Sequence, residues 1–533
     1  MVDDSAMVVT AHPIASQAGY DILRQGGNAV DAAIAVQFSL AVCYPIAGNI
    51  GGGGFMVYRH HDGTIDALDY REMAPAASTH DMYLDENGNP VAEKSQNGAL
   101  AVGVPGTPSG MYEAFLKYSK LKDWKALLAP AIQSAEKGFN LTHRQVDLLN
   151  KNKAKFDKYN IDPIVFNSRV WKGGDLLVQP ELAATLKAIA DQGPKGFYEG
   201  LVADQIVNQL KKSGGIITLE DLKNYKAIWR TPITANYRGH KIISMPPPSS
   251  GGIALAQILG MVENYDLPNM KYQSAEHIHT VVEAERRAYA DRAIHLGDSD
   301  FYNVPIDGLM DKDYLKSRMS NFDPNNASIS DSTEAGEIKE SLQTTHYSIV
   351  DQEGNAVSIT TTLNGGYGSK LVVAAAGFLL NNEMDDFSAK PGTPNMFGLI
   401  GAEANKIEPG KRMLSSMTPT IVEKDGKLLL VCGTPGGSTI ITSVYQTVSN
   451  VIDYGMSATD AIKSPRFHHQ WLPDKIVFEE IGFDSLVINK LKEMGHNVSI
   501  RGKIGKVEAV KCLADGKLEG AADTRANDDV KGF

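Results

Sequence analysis

The chain has 533 residues, of which 43% are hydrophobic, and this is enough apolar material for one or more well-buried cores. Its net charge of -11 at pH 7 argues against a nucleic-acid partner, because no run of Lys and Arg is long enough to follow a phosphate backbone. The longest apolar stretches, such as residues 31–45, are too short and too polar to cross a bilayer, so no membrane partner is expected.

The first half of the chain alternates helical patterns with Gly-rich turns. Residues 1–6 have neither the basic nor the apolar region of a signal peptide, so none is predicted. Four glycines at 51–54 precede a strand pattern at 55–58. Apolar residues at helical spacing predict helices at residues 14–25, 31–42, 124–137, 181–192, 201–212 and 275–293. The last of these is rich in charges, and we expect a solvent-exposed helix with ion pairs along its surface.

The second half is richer in strands. Residues 344–350 and 356–363 are separated by an Asp/Gly/Asn turn, and this pattern predicts a β-hairpin. A further strand is predicted at 427–432 and a helix at 438–454. The polar segment 332–343 predicts an exposed, mobile linker that ends where the strand-rich half begins. Periodicity alone therefore supports a mixed α and β fold.

Thr344 begins the first strand directly after this linker. If the peptide bond between Gln343 and Thr344 were cut, Thr344 would carry a hydroxyl and a free α-amino group on one residue. An α-amino group has a pKa of about 8, so it can act as general base at neutral pH while the hydroxyl attacks. A plain β-strand is the simpler interpretation of this segment by itself, because Thr favours β structure.

Three polar clusters downstream carry groups that could bind a substrate. Residues 362–366 place hydrogen-bonding side chains at a strand end. Residues 381–386 gather three carboxylates and two amides, which suits an ammonium group, a metal ion or a plain polar loop. The Gly-rich turn at 433–438 lacks the Lys of a nucleotide-binding loop and lies between a strand and a helix, where backbone N–H groups bind an oxyanion.

Histidines and cysteines give no convincing metal site. His277 and His279 precede Glu283 on one predicted helix, but the i, i+2 spacing puts the two rings on different faces. His468 and His469 have no third ligand nearby in the sequence. The three cysteines form no CxxC pair and read in apolar context as buried thiols: Cys43, Cys432 and Cys512. We therefore expect no metal ion and no other cofactor.

A set of motifs spread over nearly the whole chain is more specific than any of these clusters. In chain order the motifs occupy residues 10–15, 26–33, 47–55, 70–75, 103–106, 247–252, 344–348, 380–387, 414–417, 434–438 and 465–470. Their residue types and their order resemble those of the bacterial γ-glutamyltranspeptidases. That family is usually periplasmic or extracellular.

The resemblance implies an α+β fold of the N-terminal-nucleophile hydrolase type, a four-layer αββα sandwich with two antiparallel sheets between helical layers. It also implies a precursor that cleaves itself between Gln343 and Thr344 through an N-to-O acyl shift. Residues 1–343 would form a large subunit and residues 344–533 a small one. The two would remain one intertwined folding unit, a heterodimer of the chain's own cleavage products.

The resemblance also implies a role for each site residue. By position in the shared motifs, Thr344 is the nucleophile and Thr362 hydrogen-bonds it, while Gly436 and Gly437 form the oxyanion hole. The glutamyl α-carboxylate is held by Arg71, Ser415 and Ser416. The α-ammonium is held by Asn364, Glu383 and Asp386. A guanidinium suits a carboxylate because its planar fork binds both oxygens. The implied reaction passes the γ-glutamyl group of glutathione or a similar compound through a Thr344 ester to water, an amino acid or a peptide.

Three positions depart from the family pattern. Met413 replaces a Pro before the serines, and Thr439 replaces an Arg after the Gly-rich turn. Phe397 stands where many bacterial members have a lid tyrosine. Because Phe lacks the hydroxyl that would anchor the lid, we hypothesise a looser lid and a higher ratio of hydrolysis to transfer.

Three alternatives remain. A related glutaryl-cephalosporin acylase is disfavoured because a glutaryl group has no ammonium, whereas Asp386, Glu383 and Asn364 are all retained. A member acting on poly-γ-glutamate would favour an open cleft. A non-catalytic binding protein on the same scaffold would have lost the nucleophile or the oxyanion glycines, and both are retained.

Overall fold

The computed structural model describes residues 1–330, 344–526 and 528–533. The predicted linker at 332–343, including Gln343 of the predicted cleavage site, lies outside the described residues. The helices are α1 (Pro13–Arg24), α2 (Ala29–Cys43), α3 (Ala92–Gln96), α4 (Thr107–Tyr118), α5 (Trp124–Lys137), α6 (His143–Tyr159), α7 (Pro180–Gln192), α8 (Lys195–Tyr198), α9 (Gly200–Lys212), α10 (Leu219–Asn224), α11 (Gly251–Val262), α12 (Ala275–His295), α13 (Ile306–Met310), α14 (Lys312–Arg318), α15 (Ile440–Ile452), α16 (Ala458–Lys463) and α17 (Ser485–Glu493).

The strands are β1 (Val2–Asp3), β2 (Met7–Thr10), β3 (Gly53–Arg59), β4 (Ile65–Asp69), β5 (Phe139–Asn140), β6 (Leu176–Leu177), β7 (Ile228–Arg230), β8 (Ile233–Tyr237), β9 (His240–Ser244), β10 (Thr344–Val350), β11 (Ala356–Thr362), β12 (Val372–Val373), β13 (Phe378–Leu379), β14 (Thr420–Lys424), β15 (Lys427–Gly433), β16 (Phe467–His468), β17 (Ile476–Glu479), β18 (Val498–Arg501), β19 (Glu508–Cys512), β20 (Leu518–Ala521) and β21 (Asp529–Gly532). The predicted mixture of helices and strands is confirmed, and most predicted bounds agree with the observed ones to within two residues.

Two seven-stranded antiparallel sheets contain most of these strands. The sheet that carries Thr344 has the order β21-β2-β10-β11-β3-β4-β7, and the other has the order β1-β20-β19-β15-β14-β9-β8. Each sheet combines strands from before residue 331 with strands from after residue 343. The two parts of the chain are therefore interleaved in both sheets.

The predicted hairpin lies in the middle of the first sheet. Strands β10 and β11 pair in register from Thr344 opposite Thr362 to Val350 opposite Ala356. Asp351 closes the turn, since its Oδ1 accepts from the backbone N–H of Asn355 at 2.9 Å. Because the register is fixed by this short turn, the first residue of β10 faces the last residue of β11.

The two faces of this hairpin differ in the residues they present. Apolar side chains such as Tyr347 and Ile359 pack with α1, α2 and α5 in one core. Ser358 lies on the opposite face, where its hydroxyl donates to the carbonyl of Cys432 in β15 at 3.1 Å. A second core contains residues of both sheets together with α11, α12 and α15. The alternation of β structure thus assigns one face to the helices and the other to the second sheet.

The expectation for the charge-rich helix is wrong in one respect. The ion pairs exist, but α12 is buried: its charged residues Glu283, Glu285, Arg286, Arg287, Asp291 and Arg292 are all at most 6% exposed. Residues from distant segments pair with these charges, as when Arg318 binds Asp291 at 3.0 Å. Such partners offset the cost of removing the charges from water, and the helix sequence alone does not show them.

Within the described part of the chain, no helix combines the length and the apolar character needed to span a membrane.

Candidate active site

Thr344 and Thr362 face each other at the open end of the hairpin. Their hydroxyl oxygens are 3.1 Å apart, and both residues are buried. The backbone N–H of Asn364 donates to the Thr362 hydroxyl at 2.8 Å. That N–H occupies one lone pair of the Thr362 hydroxyl, which keeps its hydrogen and its second lone pair for the bond with Thr344.

The Gly-rich turn after β15 lies beside these threonines. Gly436 and Gly437 have φ values of 144° and 55°, a region that favours glycine. Gly437 lines the same pocket as Thr344. A Cβ added at Gly437 would stand 2.4 Å from the Phe397 ring, so the close approach of that ring also requires glycine here. The turn leads directly into α15, and the first backbone N–H groups of a helix have no hydrogen-bond partner within the helix.

Arg71 occupies the floor of the pocket and is 1% exposed. Its Nη1 binds Glu383, and its Nη2 binds the Asp386 carboxylate at 2.6 Å. Its Nε donates to the carbonyl of Met413 at 3.2 Å. The residues predicted to hold the two charged groups of a zwitterion therefore bind each other.

Burial changes the protonation of this cluster. It raises the pKa of the Glu383 carboxyl well above its ordinary value, and it raises that of Asp386, with Arg71 opposing the shift in both cases. Glu72 adds a third carboxyl next to Arg71, and burial raises its pKa to about 8. Neither carboxyl oxygen of Glu72 has a hydrogen-bond partner among the described residues. The cluster thus contains more carboxyl groups than Arg71 can neutralise.

The two serines, Ser415 and Ser416, also line the pocket. Ser415 Oγ accepts from the backbone N–H of Met417 at 3.1 Å. Ser416 Oγ accepts from Arg292 Nη2 at 3.1 Å, and Arg292 lines the pocket as well. Both serine hydroxyls keep their hydrogens available to an anionic group.

Asn364 closes the pocket near the threonines. It has a φ of 68°, a conformation that Asn tolerates better than most residues. Its Nδ2 donates to the carbonyl of Asn382 at 3.0 Å. This bond leaves the side-chain oxygen of Asn364 as an acceptor for an ammonium group.

The structure brings nearly all predicted site residues to one pocket. Its lining includes Arg71, Thr344, Thr362, Asn364, Glu383, Asp386, Ser415, Ser416 and Gly437. Gly436 is adjacent to it in the Gly-rich turn. A larger apolar cavity of about 230 Å³ lies beside His12, Tyr44 and Tyr367, and it shares no lining residue with this pocket. The smaller pocket is the candidate site, because the predicted nucleophile Thr344 and the charged residues both line it.

Two charged residues of this region are not among the predicted site residues: Arg292 lines the pocket, and Glu72 is buried beside Arg71. Glu72 directly follows Arg71 and belongs to the same motif, so its position could have indicated it. Arg292 belongs to α12, for which the sequence predicts an exposed surface. No local feature of the sequence separates Arg292, which lines the pocket, from Arg286 or Arg287. Its place in the pocket depends on contacts with Ser250 and Ser416, which are distant in the chain.

The three departures from the family pattern surround the site. Met413 is fully buried, and its carbonyl accepts from Arg71. Thr439 Oγ1 donates to the carbonyl of Gly436 at 2.8 Å and so braces the Gly-rich turn. Phe397 is 4% exposed and packs on Gly437. Its segment is tied to the pocket because Asn395 Nδ2 donates to Asp386 Oδ1 at 3.0 Å.

A second group of ionisable residues lies away from this pocket. His279, Glu283 and His496 have side-chain atoms within 4.8 Å of one another. His279 Nδ1 and His496 Nε2 are 2.7 Å apart and hydrogen-bonded, and Glu283 binds Arg287 at 2.6 Å. The two histidines hydrogen-bond each other, and Glu283 accepts from the guanidinium of Arg287. These contacts make the group a structural hydrogen-bond network.

Comparison with known proteins points to one family. The family model described as gamma-glutamyltranspeptidase matches residues 15–533. A glutathione hydrolase proenzyme of Escherichia coli (strain K12) is 47% identical over 529 residues, which cover 98% of this chain and 91% of that protein.

Solved structures agree with this similarity. The gamma-glutamyltranspeptidase of Helicobacter pylori is 47% identical, with a TM-score of 0.58 over 60% of this chain and 92% of that one. A cephalosporin acylase from Bacillus halodurans has a TM-score of 0.88 with 26% identity, and the match covers 100% of this chain and 96% of that one. Relatives of this kind therefore include both γ-glutamyl enzymes and an acylase.

Proposed function

The chain belongs to the γ-glutamyltranspeptidase family, and we infer that it is a self-processing γ-glutamyltransferase and glutathione hydrolase. Its 47% identity to a glutathione hydrolase proenzyme extends over 98% of the chain, so the similarity is not confined to a shared fold. The observation that carries the function is the pocket in which two threonine hydroxyls 3.1 Å apart lie beside Arg71 and the carboxyl groups of Glu383 and Asp386.

We propose that Thr344 is the nucleophile and that it is released by cleavage of the bond to Gln343. In the N-to-O acyl shift, Thr344 Oγ attacks the Gln343 carbonyl, and the peptide C–N bond is replaced by an ester that water hydrolyses. The freed α-amino group then acts as the general base for the same hydroxyl. Thr362 supports this role because its hydroxyl oxygen lies 3.1 Å from that of Thr344, within hydrogen-bond distance.

The glutamyl group enters by exchanging partners with the residues of the pocket. Its α-carboxylate binds Arg71, Ser415 and Ser416, and its α-ammonium binds Glu383, Asp386 and the side-chain oxygen of Asn364. The bonds that Arg71 makes to Glu383 and Asp386 are then replaced by bonds to a zwitterion of matching charges. Little net charge is transferred from water to the protein, which limits the cost of desolvation.

The acyl transfer proceeds in two steps of the same kind. Thr344 Oγ attacks the γ-carbonyl carbon while its proton passes to the α-amino group. The N–H groups of Gly436 and Gly437 stabilise the oxyanion, and the departing amine takes the proton as the C–N bond breaks. Water, an amino acid or a peptide then attacks the γ-glutamyl ester, loses a proton to the α-amino group and releases the Thr344 hydroxyl.

We propose further that the processed protein is a heterodimer of residues 1–343 and 344–533. The interleaving of both segments in each seven-stranded sheet supports a tight association after cleavage. The hydrogen bonds and the shared core between the two sheets support a face-to-face pairing in a four-layer αββα sandwich, with helices on both outer faces.

A glutaryl acylase activity is the less fitting alternative. A glutaryl group would leave Asp386 and Glu383 beside an apolar methylene, where no positive charge replaces the bonds they lose to Arg71. The carboxyl groups of Glu383 and Asp386 in the pocket therefore favour a donor that carries an ammonium.

The test compares the Thr344→Ala variant with a control variant, Thr345→Ala. Thr345 is the adjacent buried threonine, and its hydroxyl lacks a hydrogen-bond partner in the described structure. The denatured mass of wild type and T345A should show two fragments that meet between residues 343 and 344. T344A should stay a single chain of 57.6 kDa and should not hydrolyse a γ-glutamyl anilide. A cleaved and active T344A would overturn the assignment of the nucleophile.

A further inference from the structure

The glutamyl pocket contains a second arginine whose charge is not offset in the way that Arg71 is. Arg292 lies in the last turn of α12, is 5% exposed and lines the pocket with Ser416 and Asp386. Arg71 binds two carboxylates, Glu383 and Asp386. Over residues 1–330, 344–526 and 528–533, the guanidinium of Arg292 hydrogen-bonds only hydroxyl groups and forms no ion pair with a carboxylate.

These hydroxyl contacts connect Arg292 to both serines of the pocket. Its Nη2 donates to Ser416 Oγ at 3.1 Å, and its Nε donates to Ser250 Oγ at 2.9 Å. The Ser250 hydroxyl in turn donates to the carbonyl of Ser415 at 2.6 Å. One planar guanidinium thus fixes the backbone of Ser415 and the side chain of Ser416 together.

The direction of the Arg292 bond decides what Ser416 can do. A serine hydroxyl has one hydrogen and two acceptor lone pairs. Because Arg292 occupies a lone pair, the hydrogen of Ser416 points away from Arg292, and no acceptor for it occurs among the residues that the structure describes. The pocket that Ser416 and Arg292 both line is the space in which that hydrogen can find one.

Burial without a carboxylate partner is costly for a guanidinium. It lowers the pKa of Arg292 to about 10, and the guanidinium still carries its charge at neutral pH. The charge of Asp386 opposes this shift from beyond ion-pair distance, and an anion that enters the pocket would stabilise the guanidinium further.

We propose that Arg292 is a positioning residue for γ-glutamyl substrates, which orients the Ser416 hydroxyl to donate to the substrate α-carboxylate and attracts that carboxylate with its own charge. This rests on the proposed γ-glutamyl activity. The positive charge of Arg71 is offset by Glu383 and Asp386, which bind it, so a further positive charge would add to the attraction of the α-carboxylate. Arg292 supplies that charge, and Ser416 transmits its effect to the substrate.

A double-mutant cycle tests this inference with a γ-glutamyl anilide as the substrate. Arg292→Gln and Ser416→Ala should each raise KM roughly tenfold or more and change kcat less than about twofold, because each removes a hydrogen bond or charge that binds the α-carboxylate. In the S416A protein, the further R292Q substitution should raise KM by less than about threefold, since Arg292 acts largely through Ser416.

Arg286→Gln provides the matched control, because Arg286 is a buried arginine of the same helix that pairs with Glu283 and Asp474 away from the pocket. R286Q should change KM little, and the change in KM of the R286Q/S416A double variant should equal the product of the two single changes. Self-cleavage and the midpoint of thermal unfolding report whether each variant folds. If R292Q is not cleaved, Arg292→Lys replaces it, because Lys keeps the charge but cannot bind Ser250 and Ser416 as a fork.

Effects of R292Q and S416A that multiply in the double variant would overturn the inference, and so would a loss confined to kcat. An unchanged KM in S416A would also overturn it. If the cleaved wild-type protein did not hydrolyse the γ-glutamyl anilide at all, the proposed function itself would fail. That outcome is distinct from an active wild type in which Arg292 proves to be uncoupled from Ser416.

Discussion

Two buried arginine–carboxylate clusters in this protein differ in their balance of charges. In the helix cluster, one carboxylate, Glu283, binds two arginines, Arg286 and Arg287. In the pocket cluster, one arginine, Arg71, lies beside three carboxyl groups, those of Glu72, Glu383 and Asp386. The first cluster has its charges paired within the protein, and the second has carboxyl groups left over.

The carboxyl groups reflect this difference. Burial acts to raise the pKa of Glu283, but Arg286 and Arg287 outweigh it and lower the pKa to about 2. Burial raises the pKa of Glu72 to about 8, and the oxygens of that carboxyl lack hydrogen-bond partners in the described chain. The comparison teaches that buried ion pairs mark a ligand site when they are incomplete and lie against a cavity, and that complete pairs hold the fold.

Glu283→Gln should have the largest effect, and the effect should be on stability. It leaves Arg286 and Arg287 buried with a neutral partner, which costs about 3–5 kcal/mol when one member of a buried pair is removed. The midpoint of thermal unfolding should fall by several degrees, whereas kcat/KM of the cleaved protein should stay within about twofold of wild type. An unchanged midpoint would mean that the helix cluster does not stabilise the fold.

Asp386→Asn should reverse this pattern. It removes a charged acceptor for the substrate ammonium, and a hydrogen bond to a charged group contributes about 1.5–3 kcal/mol. We expect kcat/KM for a γ-glutamyl anilide to fall roughly 10- to 150-fold. The unfolding midpoint should be unchanged or higher, because the pocket cluster loses one of its excess carboxylates. A fall in stability as large as that of E283Q would contradict the distinction between the two clusters.

Glu72→Gln should show that the contribution of Glu72 to stability changes with pH in the opposite direction to that of Glu283. The folded-state pKa of Glu72 lies above its unfolded value, so its contribution to stability is complete below about pH 4.5 and is lost as the pH rises to about 8. Glu283 contributes above that pH, and its contribution is lost as the pH falls toward about 2.

Unfolding midpoints of wild type and E72Q, measured from pH 5 to pH 8, check this prediction. The wild type should lose about 3–4 kcal/mol relative to E72Q over that range. A parallel pH dependence of the two proteins would show that Glu72 is ionised throughout in the folded state.

Phe397→Tyr should have the smallest effect, on the partition between water and an amine acceptor. Phe397 covers Gly437 beside the pocket cluster, and its segment is tied to Asp386 through Asn395. A tyrosine hydroxyl at this position would add one hydrogen bond to the lid, worth about 1 kcal/mol. We expect the ratio of hydrolysis to transfer to fall a few-fold, measured with a γ-glutamyl anilide and a dipeptide acceptor. An unchanged ratio would reject the hypothesis of a looser lid.

Local pattern was sufficient to predict most of the secondary structure. The bounds of α5 and β10 are those predicted, and the hairpin that places Thr344 opposite Thr362 follows from two β-rich runs and a short turn. Periodicity and turn residues report on neighbours only a few positions away, and these elements depend mainly on such neighbours. The motifs likewise identified the residues that line the pocket, because each motif keeps its residue types together.

Tertiary structure alone decided which charges are buried and with what they pair. The charges of α12 look the same in the sequence whether they face water or protein, yet Arg286 binds Asp474, and Arg292 binds Ser250 and Ser416. The pairing of Arg71 with Glu383 and Asp386 likewise joins segments more than 300 positions apart. Burial of a charge depends on partners brought together by the two interleaved sheets, and no local periodicity encodes those partners.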